Sequence, residues 1–152
     1  MEHIEKLMDY SYEVICVIGE YMNEVRDHEL KELLQKHLPY LLQAYNEQIN
    51  FQECENVQHI IYQYPLSSSM EMIHTTYNEQ KSDIEIAISY ISYLKRLALE
   101  YAQVAIQVAN PEFRSFLESC FLKMNRNAYS VWQYVVKKEY SIQEMIDEEK
   151  YG

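Results

Sequence analysis

The sequence predicts an all-α fold, a four-helix bundle made of two duplicated helical hairpins, and three observations carry that expectation. Only 2 Gly and 3 Pro in 152 residues leave little material for the tight turns of an all-β fold. Apolar residues recur at three- and four-residue spacing through four long segments, the period of one helix face. A helix–cap–helix pattern is also written twice, 83 positions apart: Val25-Arg26-Asp27-His28-Glu29-Leu30-Lys31 is answered by Val108-Ala109-Asn110-Pro111-Glu112-Phe113-Arg114. After it Leu33-Leu34 answers Phe116-Leu117, Leu38 answers Phe121, and Ile49 and Phe51 answer Trp132 and Tyr134.

The first segment, from about Glu2 to Val25, carries Ile4, Leu7, Met8, Ser11, Val14, Ile15, Ile18, Met22 and Val25 on one face. Gly19 inside it costs about 1 kcal/mol relative to Ala. Asp27 caps the second segment and Asn110 the fourth, because both side chains accept bonds from the unpaired amides of a first turn. Pro111 stands at the first helical position, where proline costs least. The second segment places Leu30, Leu33, Leu34, His37, Leu38, Leu41, Tyr45 and Ile49 on one stripe, with Pro39 predicting a kink.

From about residue 58 to 82 the period breaks, with Pro65 and Ser67-Ser68-Ser69 inside the stretch. A connection of that length suits a crossover running along the bundle, the topology of ferritin-like folds. The alternative is that the part from Met70 onward extends the third helix. The third segment begins near Ser82-Asp83 and carries Ala87, Tyr90, Ile91, Leu94, Leu97, Ala98, Tyr101, Val104, Ala105 and Val108. The fourth carries Phe113, Phe116, Leu117, Cys120, Met124, Ala128, Val131 and Val135. Ser141-Ile142-Gln143-Glu144 has capping-box spacing and predicts a short separate helix, with the acidic end at Asp147-Glu148-Glu149 frayed. The whole is expected to be one domain over 1–152: hairpin one at about 2–57, the crossover at about 58–82, hairpin two at about 83–138 and a short C-terminal segment at 141–152.

A formal charge of -11 argues against nucleic acid as a partner, since phosphate binding draws on concentrated Lys and Arg. The longest uninterrupted apolar run near the N-terminus, Val14 to Ile18, is far too short to span a bilayer, and Met1 to Lys6 lacks the pattern of a secretory leader. Synthesis in the cytosol without membrane insertion is the expectation. Three cysteines at wide spacing (Cys16, Cys54, Cys120) form no C-x-x-C motif.

A bundle of this kind invites a di-iron or di-manganese carboxylate centre, which needs four inward carboxylates and a Glu-x-x-His on each of two helices. The inward stripes contain no Asp or Glu, and their one histidine, His37, follows Leu34 at the critical spacing. Its counterpart in the second hairpin is Cys120. The one Glu-x-x-His, Glu71 to His74, stands in the crossover without a partner, and Glu55 with His59 is a further exposed pair. His37 reads as a hydrogen-bonded core histidine. Cys16 and Cys120 sit among apolar neighbours, unlike an activated thiolate. Phosphate-cradling glycine loops are absent, and Glu13, Glu20 and Glu100 fall off the stripes as solvated groups. No catalytic, cofactor-binding or metal residue is therefore expected, and no cofactor.

The positive anomaly is tyrosine, with 15 against 4 Phe and 1 Trp. Tyr45, Tyr90 and Tyr101 belong to the core stripes, whereas Tyr12, Tyr40, Tyr62, Tyr64, Tyr77, Tyr93, Tyr140 and Tyr151 do not. The latter either ride helix boundaries with the hydroxyl in water or form an adhesive protein-binding surface.

Two stretches carry a family resemblance. Leu94-Lys95-Arg96-Leu97-Ala98-Leu99-Glu100-Tyr101-Ala102 leading through Ala109-Asn110-Pro111-Glu112-Phe113-Arg114-Ser115-Phe116-Leu117 resembles the Coat F family of bacterial spore coat proteins. Tyr129 to Tyr134 followed by Lys137-Lys138-Glu139-Tyr140 resembles that family's aromatic helix end and Lys-Gly-Trp-Tyr turn, with Glu139 where the family usually has glycine. The likeness covers about residues 85–141. It implies a ferritin-like bundle without a metal centre, made in the mother-cell cytoplasm and deposited in the spore coat. The leading expectation is thus a non-enzymatic structural or assembly protein that binds other spore coat proteins, with oligomeric state left open between a monomer and a homodimer paired through a flat helix face. Its rivals are a ferritin-like metal-dependent oxidoreductase and a small cytosolic adaptor or regulator.

Overall fold

The computed structural model describes residues 2–54 and 82–151, which form four helices: α1 (Glu2–Glu24), α2 (His28–Cys54), α3 (Asp83–Ala105) and α4 (Pro111–Tyr151). There is no strand among the described residues. Residues 58–81 of the expected crossover, with His59, Tyr62, Tyr64, Glu71, His74 and Tyr77, lie outside them, as does Glu55.

Helices α2, α3 and α4 each start where a side chain can satisfy a first-turn amide. Asp27 Oδ1 accepts from Glu29 N at 3.2 Å, and Asn110 Oδ1 accepts from Phe113 N at 3.0 Å. Ser82 Oγ accepts from Glu85 N at 3.2 Å, with Asp83 and Glu85 in the first turn complementing the helix dipole. Pro111 is the first residue of α4, as its spacing predicts. Pro39 lies inside α2, which continues through it to Cys54.

The helices form a ring in which α1 touches α2 and α3, and α4 touches α3 and α2. Phe51 stacks on Phe113 at 4.9 Å, which places the end of α2 beside the start of α4. The α1–α2 turn meets the start of α3, where the carboxylate of Asp83 accepts from Arg26 N and Asp27 N at 3.0 Å each. The chain therefore enters α3 at the end opposite to the one where α2 stops, and these two helices run parallel.

One core cluster joins all four helices, and the apolar stripes supply it: Leu7, Val14 and Ile18, Leu30, Leu34 and Leu41, Tyr90, Leu94 and Leu97, Leu117, Met124 and Val131 are all buried. Phe113 is buried as well, whereas Ile4, Met22, Leu33, Leu38 and Phe116 pack at its margin. The repeat holds in burial at Leu34 and Leu117 but diverges at its far end, where Ile49 is buried and Trp132 exposed.

Two expectations are corrected. The separate terminal helix starting at Ser141 does not form; α4 runs unbroken to Tyr151. Ser141 Oγ donates to the carbonyl of Lys137 at 3.0 Å instead of capping a new turn, and the 41-residue helix contains no glycine or internal proline to stop it. The helix passes straight through Glu139. Glu100 is likewise not solvated: it is 8% exposed, and its Oε2 has no hydrogen-bond partner among the described residues. Its neighbours Leu97, Ala98 and Tyr101 are buried, and the helix crossing carries it inside with them.

Candidate functional site

The centre of the bundle, where a metal centre would stand in a carboxylate-bearing bundle, is filled by neutral polar groups. His37 Nδ1 and the Tyr90 hydroxyl meet at 2.7 Å, both buried, with ring centroids 5.8 Å apart. Burial, with help from Lys123 and Lys36, pulls the pKa of His37 down to about 4, so the imidazole is neutral at pH 7. The hydroxyl of Tyr40 approaches Cys120 Sγ at 4.0 Å, and Tyr101, wholly buried, reaches Ser11 and the same thiol. Burial pushes Cys120 up to about 12 and raises Cys16 also, so neither is an activated nucleophile. His37 and Cys120 thus titrate far from neutrality, and each is held by a tyrosine hydroxyl.

No three His, Cys, Asp or Glu side chains stand close enough to hold a metal ion among the described residues. Glu13 is exposed and Glu20 half-buried. Glu71 and His74 lie outside the described part of the chain.

A second polar cluster ties the start of α2 to residues 134–138 of α4. Asp27 Oδ2 accepts from the Tyr134 hydroxyl at 2.5 Å and pairs with Lys138 Nζ at 3.1 Å. Lys137 Nζ reaches Glu29 at 3.2 Å. Burial pushes the Asp27 carboxyl up, but the Tyr134 hydroxyl, the Lys138 ammonium and the Glu29 amide together hold it below the usual carboxylate range. Between these helices runs a groove of about 370 Å³ edged by Glu29, Glu32 and Lys36 on one side and Gln133 and Lys137 on the other. Its charges are mixed and mostly solvated, so it holds no convergent reactive set.

The tyrosines divide by depth. Tyr45, Tyr90 and Tyr101 are buried as the stripes predict. Tyr10, Tyr21 and Tyr134 are buried too, each with its hydroxyl partnered: Tyr10 donates to the carbonyl of Tyr93 at 3.3 Å, and Tyr21 shares a 2.6 Å bond with Ser89. Their spacing from Leu7, Ile18 and Val131 was the available signal. Tyr40 and Tyr93 are half-buried, while Tyr12, Tyr129 and Tyr140 are exposed. Exposed Tyr129 stacks on exposed Trp132 at 5.7 Å, forming an aromatic pair on the outer face of α4. That surface, which the sequence reading missed, is the most conspicuous candidate for binding.

The bundle has no helix long and apolar enough to cross a membrane among the described residues. The family model of the Coat F domain matches residues 82–143, which span α3, the cap and most of α4. Among curated proteins and among solved structures, nothing matches the chain.

Proposed function

Because this chain carries a Coat F domain over residues 82–143, we propose that it is a non-enzymatic structural or assembly protein of the bacterial spore coat. The domain match is the observation that carries this reading. Two features of the molecule support it: His37 and Tyr90 are hydrogen-bonded to each other in the bundle centre, and the solvent side of α4 displays aromatic side chains suited to protein contacts. We read the bundle as ferritin-like, with two related hairpins joined by a crossover. The parallel run of α2 and α3 and the matching caps at Asp27 and Asn110 support that topology. Its partners on this reading are other coat proteins, and its synthesis belongs to the mother cell.

A fluorescent fusion followed through sporulation tests the role. The expected result is a signal that first appears during sporulation and ends on the spore surface, with coat proteins recovered by cross-linking and pull-down. Expression in vegetative cells without spore association would sink the proposal in favour of an adaptor role. Stoichiometric iron or manganese in protein purified without chelators would favour a metal-dependent enzyme instead.

A further inference from the structure

We propose that the outward face of α4 is a homodimer interface, on which two copies of this chain pair α4 against α4 in antiparallel sense. Leu122, Tyr129, Trp132, Val136 and Tyr140 follow one another at steps of seven, three, four and four residues, which sets them on one side of the helix. All five are between 43% and 66% exposed, on the side opposite the buried stripe of Leu117, Met124 and Val131. The stripe runs roughly 27 Å along the helix, at 1.5 Å per residue.

Charge selects a second copy as the occupant. From Ser119 to Lys138, α4 has four basic residues (Lys123, Arg126, Lys137 and Lys138) and no acid; from Glu139 to Glu149 it has five acids and no base. At 100° per residue, Arg126 lies on the same side as the stripe, and so do Glu144 and Asp147 beyond it. A parallel pairing would set like charges side by side. An antiparallel pairing centred on Trp132 and Val136 puts Tyr129 of each copy beside Tyr140 of the other. It also brings Arg126 of each copy near Glu144 of the other. The contact is isologous, so both halves form at once and the assembly closes as a dimer. Antiparallel helix dipoles add to the attraction. This surface stands independently of the coat reading, because a dimer with no coat role and a coat protein with no dimer are separately detectable.

Trp132 is the single tryptophan of the chain and lies in the centre of the stripe, so it reports on the contact directly. Sedimentation of the full chain over a roughly hundredfold concentration range is expected to show a monomer–dimer equilibrium. Trp132 emission should shift to the blue, and acrylamide quenching should fall, over the same range. Trp132→Glu should raise the dissociation constant at least ~30-fold while leaving helicity unchanged, and its melting temperature should equal that of the wild type at concentrations where both chains are monomeric. Arg126→Glu should weaken the dimer, and Arg126→Glu with Glu144→Arg in the same chain should restore it. A wild-type chain that stays monomeric with constant Trp132 emission overturns the proposal, and so does a dimer that neither single substitution weakens.

Discussion

Among individual residues, the pair His37–Tyr90 best shows how this bundle manages polar groups in its centre. The 2.7 Å bond satisfies an imidazole and a phenol that are both out of reach of water. Tyr90→Phe would orphan His37 Nδ1 and should destabilise the fold by about 1–2 kcal/mol, measured by urea denaturation at pH 7. His37 also makes stability depend on pH. Its folded pKa of about 4 lies below its ordinary 6.5, so the unfolded chain binds the proton more readily in that window. The stabilisation is complete above pH 6.5 and falls as pH drops towards 4, where folded His37 itself becomes protonated. His37→Gln should flatten the stability–pH profile between these two values, and an unchanged slope would assign it to other groups. His37 was legible as a hydrogen-bonded core histidine from its place on an apolar stripe. Its partner was not, because Tyr90 approaches from another helix.

At the level of helices, the side chain that starts α2 also fastens it to α4. Asp27 accepts from Glu29 N, from the Tyr134 hydroxyl and from Lys138, while Asp83 holds the turn from the side of α3. Asp27→Ala removes a cap worth about 1 kcal/mol together with charge-assisted bonds of about 1.5–3 kcal/mol. A total loss of roughly 2–4 kcal/mol is expected, against about 1 kcal/mol for Tyr134→Phe, and a double-mutant cycle should show coupling between the two sites. The cap was evident from the sequence, where Asp27 precedes a strongly periodic segment. The fastening was not, since Tyr134 lies 107 positions away. The α4 extension gives the converse case: residues 139–149 are all exposed, so they bury nothing in the bundle. Deleting residues 141–152 should therefore shift the melting temperature by less than about 3 °C, and a larger drop would show that this end supports the core. The Ser141 signature misled because capping-box spacing carries no information unless something ends the preceding helix.

Across the whole molecule, one apolar cluster draws side chains from all four helices, and no second core separates the hairpins among the described residues. Thermal unfolding should accordingly be a single transition, with the calorimetric enthalpy equal to the van't Hoff enthalpy. Two resolved transitions would mean that the hairpins hold together independently. The parallel course of α2 and α3 follows from which ends meet, Phe51 with Phe113 and Asp27 with Asp83. The repeated helix–cap–helix motif was legible in the sequence, whereas the aperiodic stretch expected to join the hairpins lies outside the described residues. Glu100 shows where such reasoning stops: by sequence it lies beside the stripe, yet the crossing of its neighbours carries it into the interior.

The four long periodic segments, the starts of α2, α3 and α4 and the buried stripes were legible in the chain alone, because capping and 3.6-residue periodicity act between residues a turn apart. The pairing of His37 with Tyr90, the joining of Asp27 to Tyr134 and Lys138, the burial of Glu100 and the aromatic face left open on α4 were decided only on assembly. Each depends on which helix lies opposite, at what height and at what angle, and those quantities are fixed by side-chain packing between distant segments.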